Sequence, residues 1–149
     1  ALIREHLGTK VPSGMLHRFT PVPDTHDHGI AAYNSELQRC GGRFDIVLAS
    51  SGEDGHIASL FPGHPCLQDN TDGYVLVSNA PKPPPGRMSA GVQLIRGGDT
   101  GILLFFGSSK RAALHGFLDK QRPSSECPAK IMAALPTLYL LTDQEIDTP

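Results

Sequence analysis

The 149-residue chain is long enough for one domain with a substantial hydrophobic core. With 39% hydrophobic and 19% charged residues and a net charge of −2, its composition is globular and gives no electrostatic indication of a nucleic-acid partner. The sequence has no apolar stretch of about 18 residues and no signal-peptide pattern at Ala1, so we expect a soluble protein without a membrane partner.

The first part of the chain carries few signals of regular structure. Residues 1–7 are typical of the end of a helix, and prolines at 21 and 23 favour extended backbone over residues 11–27. The sequence DTHDH at 24–28 holds histidines and carboxylates that could bind a divalent ion, but a single His-x-His lacks a third ligand at a familiar spacing. We therefore expect no metal site, and we expect Asp24 or Thr25 to cap the helix predicted over residues 29–39.

The most informative stretch is residues 44–65. An apolar run at 46–48 predicts a buried strand, and the small residues at 49–52 allow a sharp turn. Acidic residues at 53–54 then predict the start of a short helix. That helix would place His56 near its N-terminus, where a neutral imidazole is favoured and can accept a proton, with Asp54 to orient the ring. The alternative is that His56 is a polar loop residue.

Two cations further along the chain are candidates for binding an anion. A strand is predicted at 74–78, and the prolines at 81–86 predict a polyproline-like arm that carries Arg87 toward a pocket. The planar guanidinium suits phosphate, although an ordinary surface ion pair is the alternative. Lys110 follows the buried strand predicted at 102–106 and lies in the first turn of a helix, where a bound anion would offset the unfavourable dipole. The alternative for Lys110 is a solvated side chain.

The rest of the chain completes an alternating pattern of strands and helices. We expect a weak helix at 89–95, a helical turn at 131–135 and a last strand at 137–142. This alternation predicts an α/β domain with a largely parallel sheet. The three cysteines are widely spaced and form no CxxC pair, which favours a reducing compartment, the cytoplasm.

Several of these segments resemble one protein family. The sequences GEDGH at 52–56 and ASLFPG at 58–63 resemble the signature of 6-phosphogluconolactonases, which belong to the superfamily of sugar-phosphate isomerases and deaminases. Residues 81–89 and 102–110 are similar to that family's proline-rich segment and to its strand followed by a helix-initial Lys. The resemblance implies a truncated Rossmann-like fold, with residues 1–149 forming one domain that matches the C-terminal portion of the family fold and lacks its N-terminal half.

The resemblance also implies an activity and its residues. The expected reaction is hydrolysis of 6-phosphogluconolactone, a phosphorylated sugar lactone, to 6-phosphogluconate in the pentose phosphate pathway. His56 would be the general base, supported by Asp54. Backbone N–H groups around Gly52 to Gly55 would stabilise the oxyanion, and Arg87 with Lys110 would hold the phosphate. No metal or nucleotide cofactor is implied.

Departures from the family pattern leave two other functions open. Ser50 stands where the family usually has Gly, which would narrow the pocket, and Ile57 stands where lactonases often carry Thr. The Gly-His-Ile-Ala sequence is more similar to the aminosugar-phosphate isomerases and deaminases, although residues 59–62 return to the lactonase pattern. The absent N-terminal half instead suggests a non-catalytic sugar-phosphate-binding or assembly domain.

The same absence has a consequence for assembly. In the family fold the strand at 46–49 is interior, and one of its neighbours comes from the N-terminal half. Without that neighbour the strand presents an unpaired apolar edge. We therefore expect a homodimer with an interface at or near residues 44–50.

Overall fold

The computed structural model of the chain describes residues 5–6, 8, 10–23 and 25–146. The helix end predicted over residues 1–7 lies mostly outside this part. None of the helices that the structure describes is long and apolar enough to cross a membrane. The described α-helices are α1 (Ile30–Arg39), α2 (Val92–Arg96) and α3 (Arg111–Leu118), and the strands are β1 (Ile46–Ser50), β2 (Tyr74–Val77), β3 (Arg87–Ala90), β4 (Thr100–Phe105) and β5 (Thr137–Thr142). Short 3₁₀ helices cover Ser13–Met15, Pro65–Gln68, Ser108–Lys110 and Pro128–Ala134.

The predicted parallel sheet is confirmed. Strands β1, β4 and β5 form a three-stranded sheet in the order β1-β4-β5, and both pairings are parallel. In the register, Leu48 of β1 lies opposite Ile102 of the central strand, which lies opposite Tyr139 of β5. Strands β2 and β3 pair antiparallel in a separate two-stranded sheet. Because β1 and β4 run in the same direction, the loops that leave their carboxyl ends emerge at one edge of the sheet.

The hydrophobic core lies on one face of the parallel sheet. Leu103 and Phe105 point into it from β4 and are both 0% exposed. From the other side, Leu114 of α3 and Ile131 of the last 3₁₀ helix cover them. Burial alternates along β4, so the strand predicted as buried at 102–106 is fully buried only on this face.

The opposite face of the same sheet is open. Ile46 and Leu48 of β1 are 62% and 67% exposed, and Tyr139 and Leu141 of β5 are 58% and 46% exposed. These side chains stand on the face away from Leu103, because successive residues of a strand point to opposite sides. The described part of the chain therefore leaves a continuous apolar surface across the sheet.

Two local predictions are corrected. The helix α1 is capped by Asp27, whose carboxylate accepts hydrogen bonds from the N–H groups of Gly29 (3.0 Å) and Ala31 (2.7 Å). Thr25 instead donates to the carbonyl of Val22, and residue 24 lies outside the described residues. The weak helix predicted at 89–95 is divided, because residues 87–90 pair with β2 and only Val92–Arg96 is helical.

The contrast between the two faces predicts a difference in stability. We expect Leu103→Ala to lower the free energy of unfolding by about 2–5 kcal/mol, because it leaves a cavity in the core. Leu48→Ala, the matched substitution on the open face, should cost less than about 1 kcal/mol. Urea denaturation of both variants measures this difference. A comparable loss in Leu48→Ala would show that the open face is covered in solution.

Candidate active site

The loop that leaves β1 is a closed turn and not the start of a helix. The N–H of Ser51 donates to the carbonyl of Leu104 (3.0 Å), which extends the pairing with β4 by one residue. The N–H of Gly52 then donates to the carbonyl of His56 (2.7 Å), and the N–H of Gly55 donates back to the carbonyl of Gly52 (3.1 Å). The predicted helix at 53–61 is therefore wrong, because these bonds close the backbone on itself before a helical turn can form.

This turn brings His56 and Asp54 together. The Nδ1 atom of His56 lies 2.5 Å from Oδ1 of Asp54, and the backbone N–H of His56 donates to the same oxygen at 3.3 Å. The His56 side chain is 17% exposed and that of Asp54 is 37% exposed. Within the described part of the chain, Nε2 of His56 has no hydrogen-bond partner. A ring held at one nitrogen by a carboxylate and open at the other has the geometry of a general base.

The carboxylate of Asp54 stays ionised at neutral pH. Its partial burial by itself raises its pKa, but the hydrogen bonds from the ring and backbone of His56 and the charge of that ring act in the opposite direction. The net pKa is lowered from the ordinary value for Asp. The charge on Asp54 therefore holds Nδ1 as the protonated nitrogen of the His56 ring.

The glycines of this turn are required for close packing. A Cβ atom at residue 52 would overlap the ring of His56 and would lie 2.7 Å from Oδ1 of Asp54. Gly55 has a φ of 84°, and a Cβ atom there would lie 2.9 Å from Sγ of Cys127. The N–H groups of both glycines have carbonyl partners inside the turn, so among residues 52–55 the donors available for the predicted oxyanion contact are those of residues 53 and 54.

Arg87 is the anchor of the proline-rich arm. Its Nε donates to the carbonyl of Pro84 (3.0 Å), and its Nη2 donates to the carbonyls of Lys82 (2.8 Å) and Pro83 (2.9 Å). These bonds occupy three of the five guanidinium N–H directions. Among the described residues, Nη1 has no hydrogen-bond partner, so Arg87 retains one amino group for a ligand.

The ring of Phe61 joins Arg87 to His56. The guanidinium carbon of Arg87 lies 5.4 Å from the centroid of Phe61, within the range of a cation–π contact. The His56 ring lies 4.7 Å from the same ring, centroid to centroid. The structure thereby brings the predicted base and the first predicted cation to one buried aromatic side chain, which is 1% exposed.

Lys110 ends the 3₁₀ helix that follows β4. Its side chain is half-buried and makes no ion pair or hydrogen bond with the residues that the structure describes. The loop before it is fixed, because the N–H of Gly107 donates to both carboxylate oxygens of Asp143 at 3.0 Å. Lys110 and His56 thus belong to the two loops that leave adjacent parallel strands at the same edge of the sheet.

Three supporting residues were not predicted from the sequence. The buried hydroxyl of Ser89 accepts a hydrogen bond from the N–H of Ser59 (3.1 Å), which ties the segment after His56 to β3. Phe61 contacts both Arg87 and His56, and the Asp143 carboxylate accepts hydrogen bonds from the N–H of Gly107. Ser89 lies within the proline-rich segment at 81–89, but its partner is 30 residues away and no local spacing indicates the contact.

The expected absence of a metal ligand set at 24–28 remains a prediction. The Asp27 carboxylate is already bound to the N-terminus of α1, and residue 24 lies outside the described part of the chain. In that part, one group of side chains has the composition of a metal site, and it consists of His17, Glu36 and Cys40.

Known proteins match most of the chain. A family model described as glucosamine-6-phosphate isomerases/6-phosphogluconolactonase matches residues 1–139. A 6-phosphogluconolactonase from Borreliella burgdorferi is 39% identical over 115 residues, which make up 77% of this chain and 49% of that protein. The chain thus spans about half the length of this curated relative.

Two solved structures share the fold. A 6-phosphogluconolactonase from Shewanella baltica matches with a TM-score of 0.77 at 21% identity, over 95% of this chain and 62% of that one. A monomeric glucosamine-6-phosphate deaminase matches with a TM-score of 0.63 at 22% identity, over 84% of this chain and 56% of that one. At these identities the matches bear on the fold alone, and they confirm the predicted α/β class. With the sequence match over residues 1–139, they show that the chain belongs to the family of glucosamine-6-phosphate isomerases and 6-phosphogluconolactonases.

Proposed function

We propose that this chain hydrolyses 6-phosphogluconolactone to 6-phosphogluconate, as in the pentose phosphate pathway. The observation that carries the proposal is the pairing of Asp54 with Nδ1 of His56, which leaves Nε2 available as a base. The 39% identity to a protein named 6-phosphogluconolactonase supports this substrate class. The geometry fits lactone hydrolysis because that reaction needs a proton acceptor for water and a cradle for an anionic substrate.

The proposed chemistry begins with water. Nε2 of His56 takes a proton from a water molecule while the water oxygen forms a bond to the lactone carbonyl carbon. The tetrahedral intermediate then collapses, the bond between that carbon and the ring oxygen breaks, and the proton on Nε2 passes to the departing oxygen. Asp54 keeps the ring in the correct tautomer and stabilises the positive charge that it carries between the two transfers. No proton is gained or lost by the protein over the cycle.

In this proposal the turn at 52–55 gives the substrate access to the site and supplies donors to the oxyanion. Gly52 and Gly55 border the site and allow the substrate to approach closely, since neither carries a side chain. Their N–H groups are engaged, whereas the N–H groups of Glu53 and Asp54 have no acceptor among the described residues. We assign these two N–H groups as the donors in this turn for the developing oxyanion.

The phosphate of the substrate is assigned to Arg87 and Lys110. Arg87 offers Nη1, and its place beside Phe61 puts it near the base. Lys110 offers a half-buried ammonium group without a described partner at the same edge of the sheet. Because two cations from different loops would converge on one anion, both are needed for tight binding.

The case for an aminosugar-phosphate deaminase is weakened by the structure. Ile57, the residue that motivated it, is 0% exposed and packs in the hydrophobic core. A side chain in that place fills volume and does not contact a substrate. A non-catalytic sugar-phosphate-binding domain is the second candidate, since the contacts described for Arg87 and Lys110 concern binding and do not depend on a base.

We also propose a cytoplasmic, single-domain protein. Cys66 and Cys127 are buried as free thiols and Cys40 is an exposed free thiol, which suits a reducing compartment. Burial raises the pKa of both buried thiols and keeps them protonated and unreactive. One core cluster receives residues from both sheets, which supports a single domain over 1–149.

We propose, finally, that two copies of the chain associate through β1. Within the described residues β1 pairs only with β4, so the N–H and C=O groups of its other edge are unpaired. Phe44, Tyr74 and Ile95 line an apolar groove along that edge, and the exposed Ile46 and Leu48 stand beside it. Antiparallel pairing of β1 with β1 of a second copy would satisfy the backbone groups of this edge with two-fold symmetry.

The first prediction concerns the base. His56→Asn and His56→Ala should reduce lactonase activity by about 10²–10⁴-fold without changing the circular dichroism spectrum. The matched control is His115→Ala, since His115 is an exposed histidine of α3. Initial rates are measured at neutral pH and corrected for spontaneous ring opening. Near-normal rates in the His56 variants would exclude this mechanism, and a folded chain no faster than buffer would favour the non-catalytic domain.

The second prediction concerns phosphate recognition. Arg87→Ala and Lys110→Ala should each weaken binding of the phosphorylated sugar by about 1.5–3 kcal/mol, the cost of a charge-assisted hydrogen bond. Binding of the unphosphorylated sugar should change little. Calorimetric titration with 6-phosphogluconate and gluconate measures both affinities. Equal weakening for the two ligands would show that these residues do not bind phosphate.

The third prediction concerns assembly. Sedimentation at micromolar concentration should show a dimer, and Leu48→Lys should dissociate it, because a charge on an edge strand opposes pairing. The matched control is Leu118→Lys at the end of α3, where Leu118 is 42% exposed. A monomer with slowly exchanging amides at 44–49 would show that the chain protects this edge by itself. A dimer that survives Leu48→Lys would place the interface elsewhere.

A further inference from the structure

A second group of chemically reactive side chains lies in the region around α1. Glu36 and Cys40 are four residues apart at the end of that helix, so they share one face. His17 comes from the extended segment that precedes the helix in the chain. One ligand atom from each of the three residues lies within 4.8 Å of the others.

The backbone that carries His17 is fixed independently of its imidazole. The hydroxyl of Tyr33 donates to the carbonyl of His17 at 2.6 Å. The ring of Phe19, two residues later, packs edge-on against Tyr33 with the centroids 5.4 Å apart. These contacts hold residues 17–19 against α1 and present the imidazole to the end of the helix.

The distances within the group are those of a metal site with an outer carboxylate. Nε2 of His17 lies 3.8 Å from Sγ of Cys40. For zinc bonds of roughly 2.1 Å to nitrogen and 2.3 Å to sulfur, a tetrahedral angle separates these two ligand atoms by about 3.6 Å. Nδ1 of His17 lies 2.9 Å from a carboxylate oxygen of Glu36, which is the arrangement by which a carboxylate orients a metal-binding imidazole. Arg39 pairs with the other oxygen of Glu36 and fixes the carboxylate.

We propose that this group is a divalent-metal site for an ion of the Zn²⁺ type. Cys40, as the thiolate, and Nε2 of His17 bind the ion directly, Glu36 holds the ring, and water completes the coordination. The thiol proton is released to solvent when the ion binds. The ion would fasten the segment around residue 17 to the end of α1. Sulfur and imidazole ligands together select zinc over magnesium or calcium, which prefer oxygen.

This site does not depend on the lactonase proposal. None of its three residues contacts His56, Arg87 or the turn at 52–55 in the described hydrogen bonds and ion pairs. It also differs from the cluster at 24–28 that the sequence suggested. There the carboxylate of Asp27 already accepts hydrogen bonds from two N–H groups of α1.

The experiment is a zinc titration of the untagged, chelator-treated chain, followed by calorimetry and by the reaction of its thiols with Ellman's reagent. Cys66 and Cys127 are 8% and 1% exposed, so the thiol that reacts in the native protein is that of Cys40. We expect one zinc ion per chain and a slowing of the thiol reaction by roughly tenfold or more at saturation. The midpoint of thermal unfolding should rise with zinc concentration.

Variants separate this site from adventitious binding. Cys40→Ser and His17→Ala should lose zinc binding, and Glu36→Gln should weaken it by about 10–100-fold. His26→Ala, which removes an exposed histidine outside this group, should bind zinc as the unsubstituted chain does. His17→Ala keeps the bond from Tyr33, because that bond uses the backbone carbonyl.

Three results would overturn the proposal. One is the absence of zinc binding by the folded chain. Another is binding that survives both Cys40→Ser and His17→Ala. The third is rapid modification of Cys40 that requires His17 and is unaffected by zinc, which would identify a base-activated thiol in place of a metal site.

Discussion

The parallel pairing of β1 with β4 is the constraint on which the rest of the structure depends. It buries Leu103 and Phe105 between the sheet and the helices that follow. The pairing also sets the direction in which both strands end, so the His56 turn and the Lys110 loop leave the sheet at one edge. The hydrogen bond from Ser51 to Leu104 carries this pairing into the turn itself. The candidate active site is therefore a consequence of sheet register.

The conformation of the His56 turn depends on close contacts made at its two glycines. The ring of His56 lies so close to Gly52 that no other residue fits there, and Gly55 leaves room for Cys127 from a distant segment. The glycines thus set the geometry of the His56 ring and the Asp54 carboxylate. This explains why the motif needs glycine even though the N–H groups of both residues are engaged within the turn.

Arg87 shows how one side chain combines structural and chemical roles. Its bonds to the carbonyls of the proline-rich arm hold that arm in place, and its contact with Phe61 sets its distance from His56. A lysine could supply the charge but not this set of directed bonds.

The open face of the parallel sheet and the outer edge of β1 have no partner among the described residues. The chain spans about half the length of its curated relative, and Ile46 and Leu48 are exposed apolar side chains on this face.

The sequence by itself predicted four of the five described strands and the resemblance to the family. Apolar runs at 46–48 and 102–106 and the alternation of strands with helices predicted the parallel sheet, because these signals are local and periodic. The strand predicted at 74–78 pairs instead with β3, which the sequence did not indicate, in a separate antiparallel sheet. The motif around His56 predicted the contact between its imidazole and the Asp54 carboxylate for the same reason, since the two residues are neighbours in the chain. Other features depend on tertiary structure. The segment after β1 forms a turn and not the predicted helix, because the N–H groups of Gly52 and Gly55 donate to carbonyls within the loop. Ser89, Phe61 and Asp143 acquired roles only through distant partners. His17 met Glu36 and Cys40 because Tyr33 binds a backbone carbonyl 16 residues away, a contact that no spacing in the sequence indicates.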